Sequence, residues 1–322
     1  MDRVLLGESG LSVSPVCFGT WQLSPRFWGE QSKDDAVSAM KLAYDQGINF
    51  IDTADAYGDG YGESVVGEAI KDLPRDELVI VTKVFNHFNP DGSRYPDLTP
   101  DHVAERCEAS LGRLGLDTID LYLLHLYDQL TPLADIAGTL ERLRDQGKVR
   151  AIGVSNHSVE QLRAQRRCGA YSVIQPPYSL IDPVGESGLL PYCQSENVGV
   201  MVYSPLHKGL LTGKYTGTET FDDFRGYHAD FQGERFKELC DKVQSLRPIA
   251  DRYELTICQL AIVATLMHPA IHVAICGIKT PEQIAEAAGA VGRTISREDY
   301  FAVRNLVGPA GPKLADAKGE QK

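Results

Sequence analysis

Short runs rich in β-branched and aromatic residues recur along the chain at 16–19, 49–52, 78–83, 119–125, 149–155, 172–176, 198–204 and 272–276. Between most of them lie stretches with apolar residues at helical spacing, such as "DDAVSAMKLAYDQG", "PDHVAERCEASLGRLG" and "LADIAGTLERLRDQGK". A helix between two strands carries the chain back across the sheet, so this alternation builds a parallel sheet. Eight such units without a linker or a break in composition predict a single domain over 1–322, an α/β (β/α)8 TIM barrel. A doubly wound sheet would carry G-x-G-x-x-G after its first strand, and the chain contains no such sequence. Before the first barrel strand, "RVLLGESGLSVSP" at 3–15 predicts a β-hairpin; Thr99-Pro100 opens a helix, and Gly47 and Gly147 close others. Extra helices are expected toward the C-terminus, and 308–322 reads as a flexible tail.

Composition narrows the partners. The 44 acidic against 32 basic side chains leave a net charge of −12, which repels nucleic acid. No apolar run reaches the ~20 residues needed to cross a bilayer, and "MDRVLLGESG" lacks the features of a secretion signal, so a cytoplasmic protein without a membrane partner is expected. Seven cysteines with no C-x-x-C pair point to reduced thiols rather than disulfides or a zinc ribbon. No metal is expected in the chemistry, because apart from His125 the histidines fall mostly in loops or helices. The oligomeric state is not legible.

In such a barrel chemistry sits at the carboxyl ends of the strands. Asp52 and Tyr57 follow the second strand in "FIDTADAYGDGYGE", Lys83 ends the third, and His125 ends the fourth. Each alone has a structural explanation; together they bring a carboxylate, a phenol, an ammonium and an imidazole to one rim. A tyrosine with its ordinary pKa near ~10 is a weak acid at neutral pH. Lys83 is expected to lower it and Asp52 to anchor Lys83, making Tyr57 a general acid in reduction and a general base in oxidation. His125, neutral, would orient the substrate oxygen.

With these residues in place the sequence resembles the aldo-keto reductase family from about residue 3 to residue 291. The motifs are "NFIDTADAYG" followed by Glu, "VTK", a strand-ending His with Asp128 three residues on, "GVSN", "YSPL…GLLTGK" and "GIKTPEQ", in the family's order. The resemblance implies Asp52, Tyr57, Lys83 and His125 as the catalytic tetrad. It also implies NADPH as hydride donor, with NADH as the alternative, and a small carbonyl compound or alcohol as substrate. A cofactor-binding regulatory subunit with little turnover, like the potassium-channel β-subunits of the same family, is the competing reading.

The resemblance further implies a cofactor bed. Ser155, Asn156 and Gln175 would meet the nicotinamide carboxamide, and Tyr203 would face its ring. Ser204, Pro205, Leu206, His207, Lys208, Lys214 and Arg225 would form a flap over the pyrophosphate, drawn from a long irregular loop after the seventh strand. Thr20, Trp21 and Asp52 would lie beside the reacting end. In "GIKTPEQ", Gly277, Ile278 and Lys279 precede a helix start built from Thr280 as N-cap, Pro281 at the first position and Gln283 completing a capping box. That start suits a phosphate. Gln283 and Glu286 would approach the adenosine end, where Ala287 stands in place of the family's frequent Asn, and Lys279 in place of a frequent Arg. Trp21, Tyr57, Phe85, Asn86, His125 and Tyr127 are expected to wall the substrate pocket; Trp28 is read as a surface-loop residue.

Overall fold

The computed structural model describes residues 1–89 and 91–309, so all but two residues of the proposed tail lie outside the described residues. The hairpin comprises β1 (Val4–Leu5) and β2 (Ser12–Val13), paired antiparallel. The barrel strands are β3 (Val16–Gly19), β4 (Phe50–Asp52), β5 (Val79–Val84), β8 (Ile119–Leu124), β9 (Val149–Ser155), β10 (Tyr171–Gln175), β11 (Gly199–Tyr203) and β12 (Val273–Gly277). Between β5 and β8 a second hairpin, β6 (Asn86–Phe88) with β7 (Arg94–Pro96), stands outside the barrel. The eight barrel strands pair in parallel and close in the order β10-β11-β12-β3-β4-β5-β8-β9.

The period of two along each strand separates two apolar compartments. Cys17, Phe50, Val79, Val81, Leu121, Leu123, Val173, Met201, Val273 and Ile275 point inward and pack on Leu6, Leu11 and Val13 of the N-terminal hairpin, which plugs the base. Ile51, Ile80, Tyr122, Ile152, Ile174 and Val200 point outward beneath the helices. Inward space is tight: a side-chain Cβ on Gly153 would lie 2.4 Å from the Val173 carbonyl oxygen and 2.7 Å from the Leu123 side chain.

The same alternation determines what reaches the mouth. Following the inward positions upward, β4 ends on Asp52, β5 on Lys83, β9 on Ser155, β10 on Gln175 and β11 on Tyr203; His125 follows β8 in the same register. The long segment after β11 is more ordered than its composition implies. It folds into short 3-10 turns at His207–Thr212, Phe224–Tyr227 and Ala229–Phe231, around a cluster of Tyr215, Phe221, Phe231 and Phe236. Helices Pro281–Ala288 and Arg297–Val307 complete the C-terminal part. Among the described residues, no helix is long and apolar enough to cross a membrane.

Candidate active site

A cleft of about 610 Å³ opens at the C-terminal mouth of the barrel and runs from Tyr57 and His125 to Glu286 and Ala287. At its inner end the Lys83 ammonium is fully buried and donates to Asp52 Oδ1 at 2.8 Å, the Thr53 carbonyl at 2.8 Å and the Tyr57 hydroxyl at 3.2 Å. All three of its protons are thereby committed. The second oxygen of Asp52 accepts from Gln175 Nε2 at 2.7 Å, a strut from the opposite side of the barrel. Tyr57 reaches this position because the loop after β4 turns through left-handed backbone at Gly58, Asp59 and Gly60. The His125 ring stands edge-on to it, 6.0 Å between centroids, and its nitrogens have no hydrogen-bond partner among the described residues.

Electrostatics differ from expectation at the phenol. Burial pushes Tyr57 up to about 12; the Lys83 charge pulls the other way but is outweighed, and Asp52 adds to the rise. The expected lowering below the ordinary value is therefore corrected: the ammonium moderates an increase. Burial alone would depress Lys83, yet Asp52 and Tyr57 reverse this and raise it, so it stays charged. His125 is lowered to about 3 by burial and by the charges of Lys83 and Arg94, which keeps the ring neutral.

Beyond the tetrad, Ser155 Oγ donates to the Gln175 carbonyl at 2.9 Å, and Tyr203 donates to Asn156 Oδ1 at 2.7 Å. Asn156 Nδ2 donates to the His125 carbonyl at 3.0 Å. Ser204, Pro205, Leu206, Lys208, Lys214, Arg225, Gly277, Ile278, Lys279, Gln283 and Glu286 all line the cleft, as do Trp21 and Asn86. Lys214, Arg225 and Lys279 form a positive group. Arg225 is already held by both oxygens of Asp223 and by the Tyr215 hydroxyl at 2.6 Å.

Several placements differ from the sequence reading. Thr20 does not line the cleft, because its hydroxyl donates to the Asp52 carbonyl at 2.9 Å. His207 is buried beneath the loop between Ser179 Oγ and Asp230 Oδ2, each at 2.9 Å, and also stays out of the cleft. Phe85 packs into the core outside the barrel, and Tyr127 lies edge-on to His157 at 5.3 Å; neither lines the cleft. Gln283 does not complete a capping box: its backbone N–H bonds Thr280 Oγ1, but its side-chain oxygen accepts from the N–H of Lys279 at 2.7 Å, one residue before the N-cap.

Trp28, read as a surface residue, is a cleft wall. It stands edge-on to Trp21 at 5.4 Å and to Phe224 at 4.7 Å, and Trp21 lies 5.2 Å from Phe224. The three rings clasp the loop after β3 to the loop after β11 across the cleft. Lys279 and Arg225 approach the Trp28 ring at 5.2 and 5.3 Å. Gln22, Phe27, Arg94 and Leu126 are further lining residues that sequence reasoning missed. Gln22 follows "GTW" at a strand end and carried a positional signal; Arg94 sits in a hairpin that no periodicity announced.

Fold and site together define a barrel whose polar groups gather at the C-terminal mouth, as in the enzymes of this architecture. More narrowly, the chain belongs to the aldo/keto reductase family, whose model matches residues 15–307. It is 35% identical over 323 aligned residues to an aldo-keto reductase of Bacillus subtilis, covering 98% of this chain and 97% of the relative. It is 34% identical to an NADH-specific methylglyoxal reductase of Escherichia coli, covering 95% of this chain and 98% of that protein. The solved glycerol dehydrogenase of Gluconobacter oxydans superposes with a TM-score of 0.87 at 30% identity, covering 97% of this chain and 98% of that one.

Proposed function

We propose that this chain is an oxidoreductase that interconverts small carbonyl compounds and alcohols with a nicotinamide dinucleotide, with Tyr57 exchanging the proton. The observation that carries the reading is the single buried ammonium of Lys83 bonded at once to Asp52 and to the Tyr57 hydroxyl in the wall of the cleft. Bound in this cleft, the dinucleotide would supply hydride to a carbonyl carbon. The chain's own groups do the rest. Tyr57 donates its phenolic proton to the carbonyl oxygen, Lys83 stabilises the phenolate left behind, and Asp52 with Gln175 holds Lys83 in place. Neutral His125 offers a ring N–H to the same oxygen and orients it.

The cleft suits such a cofactor. Its elongated lining pairs acceptors and hydroxyls at Ser155, Asn156 and Gln175 with the cations Lys214, Arg225 and Lys279 farther along. The Trp28 indole N–H, buried in the wall, has no partner among the described residues and is available to a ligand. Both NADPH and NADH fit the residues. The three cations favour the extra phosphate, while the engagement of Arg225 by Asp223, the exposed Glu282 at the helix start and Ala287 at the far end weaken that preference.

Replacing Tyr57 with Phe tests the reading. Reduction of a small aldehyde should fall by about 10²–10⁴-fold, the range a general acid supplies, with dinucleotide affinity nearly unchanged. Undiminished turnover would remove Tyr57 from the mechanism. Tight dinucleotide binding by the wild-type chain without turnover of any aldehyde, ketone or alcohol would favour a binding subunit instead.

A further inference from the structure

We propose that His87, Asp97 and His102 form a binding site for a late first-row divalent cation such as zinc, set in the wall behind the cleft mouth and apart from the tetrad. His87 lies on β6, Asp97 directly follows β7, and His102 is in the first turn of the helix Pro100–Leu114. One ligand atom from each side chain lies within 4.8 Å of the others. Nδ1 of His87 is 3.7 Å and Nδ1 of His102 is 3.8 Å from the same oxygen, Asp97 Oδ2.

The surrounding bonds leave Asp97 Oδ2 and His102 Nδ1 free and facing each other, with His87 Nδ1 beside the same oxygen. Asp97 Oδ1 accepts from the Thr99 N–H at 2.9 Å and the Thr99 hydroxyl at 2.7 Å, which turns Oδ2 toward the imidazoles. His102 Nε2 lies 3.0 Å from the Asn86 carbonyl. A carbonyl only accepts, so the ring proton sits on Nε2, and Nδ1 presents a lone pair to the carboxylate. His87 is stacked on Tyr95 at 4.7 Å with 15° between the planes, and its centroid is 5.1 Å from that of His102.

The His102 Nδ1 lone pair faces a carboxylate oxygen beyond hydrogen-bond reach, and a cation between the two relieves their repulsion. Zinc bonds of about 2.0–2.1 Å in tetrahedral geometry place donors about 3.4 Å apart, so the two gaps to Asp97 need to close by a few tenths of an ångström and the gap between the imidazoles, within 4.8 Å, by no more than about 1.4 Å. Two imidazoles and one carboxylate select zinc, cobalt, nickel or copper over magnesium or calcium, with the fourth position left to water. His102 and Asp97 are largely buried while His87 is 39% exposed in its side chain, so an ion can enter from the solvent side. The hairpin that would be pinned also carries Asn86 and Arg94, both cleft-lining residues. The cation's role is then to hold the cleft mouth in shape, without contact with the reacting atoms.

The test uses the full chain stripped with a chelator, then titrated with zinc alone by calorimetry and with cobalt alone by visible absorption. One equivalent should bind, with cobalt giving the ligand-field bands of a low-symmetry site and zinc displacing it. His87→Gln and Asp97→Asn should each weaken zinc by more than about tenfold, while His228→Gln, in the loop after β11 and outside the three-residue cluster, leaves it unchanged. Zinc should also slow proteolysis within residues 86–96 in the wild type and not in His87→Gln. Absence of binding at micromolar zinc, or binding of equal strength in both site variants, overturns the site. Binding with unaltered proteolysis overturns its role as a pin. His87 is partly exposed, so its variant should melt like the wild type and separates loss of the ion from loss of the fold.

Discussion

At the residue scale the site works by balancing burial against charge. With Tyr57 raised to about 12 and His125 lowered to about 3, both groups keep one protonation state across the neutral range. On the proposed mechanism the reductive direction needs the phenol protonated and the imidazole neutral, so its rate should be flat between about pH 5 and 9. The oxidative direction needs phenolate, whose fraction grows with each pH unit below the phenol's pKa, so that rate should climb continuously with pH. Pre-steady-state pH–rate profiles in both directions check this; a break near pH 6–7 in reduction would mean another group donates the proton. Lys279→Met should weaken NADPH several-fold more than NADH, because only the former presents a phosphate monoester to the cation; equal losses in fluorescence titrations would refute that placement. The meeting of Asp52, Tyr57, Lys83 and His125 at the mouth was legible because four reactive residue types stand at predicted strand ends. The up-shifted phenol was not, because burial is a property of the assembled mouth, and residue order does not reveal its extent.

At the scale of elements, strand alternation and helix signals translated well: the runs named from the sequence match the barrel strands to within a residue or two. What escaped was built by loops. Phe85 and Tyr127 follow the ends of β5 and β8, yet a turn of backbone sends Phe85 to the outer core and Tyr127 to His157. His207 lies in a segment with left-handed backbone at His207 and Lys208, which turns the imidazole under the loop. Trp28, 24 positions before Asp52 and 196 before Phe224, meets Phe224 only after the fold has formed. The three-ring clasp joins the two loops that flank the cleft proposed for the dinucleotide. Phe224→Ala should therefore accelerate dinucleotide dissociation in stopped-flow fluorescence, and raise kcat where release limits turnover. An unchanged dissociation rate would show that the clasp does not gate the cleft.

For the whole molecule, the barrel interior leaves little slack. Gly153→Ala places a methyl group 2.4 Å from the Val173 carbonyl oxygen, so β9 and β10 must separate. Overpacking of this kind costs about 1–3 kcal/mol, and the melting temperature should drop by several degrees while isolated surface variants leave it unchanged. A melting temperature equal to the wild type would mean that the strands slide apart freely. The barrel class was legible because eight strand–helix units admit few closed solutions, and the matching solved barrel is superposed over nearly its full length. The plugging of the base by Leu6, Leu11 and Val13 was not, since the hairpin's short runs resemble any surface ribbon.

The strut across the mouth has a consequence for which polar groups a visitor can pair with. Gln175 gives one amide hydrogen to Asp52, so its second N–H and its oxygen remain for other partners. A carboxamide could meet both, donating to that oxygen and accepting from that N–H, whereas an ester, with no donor, could meet only one.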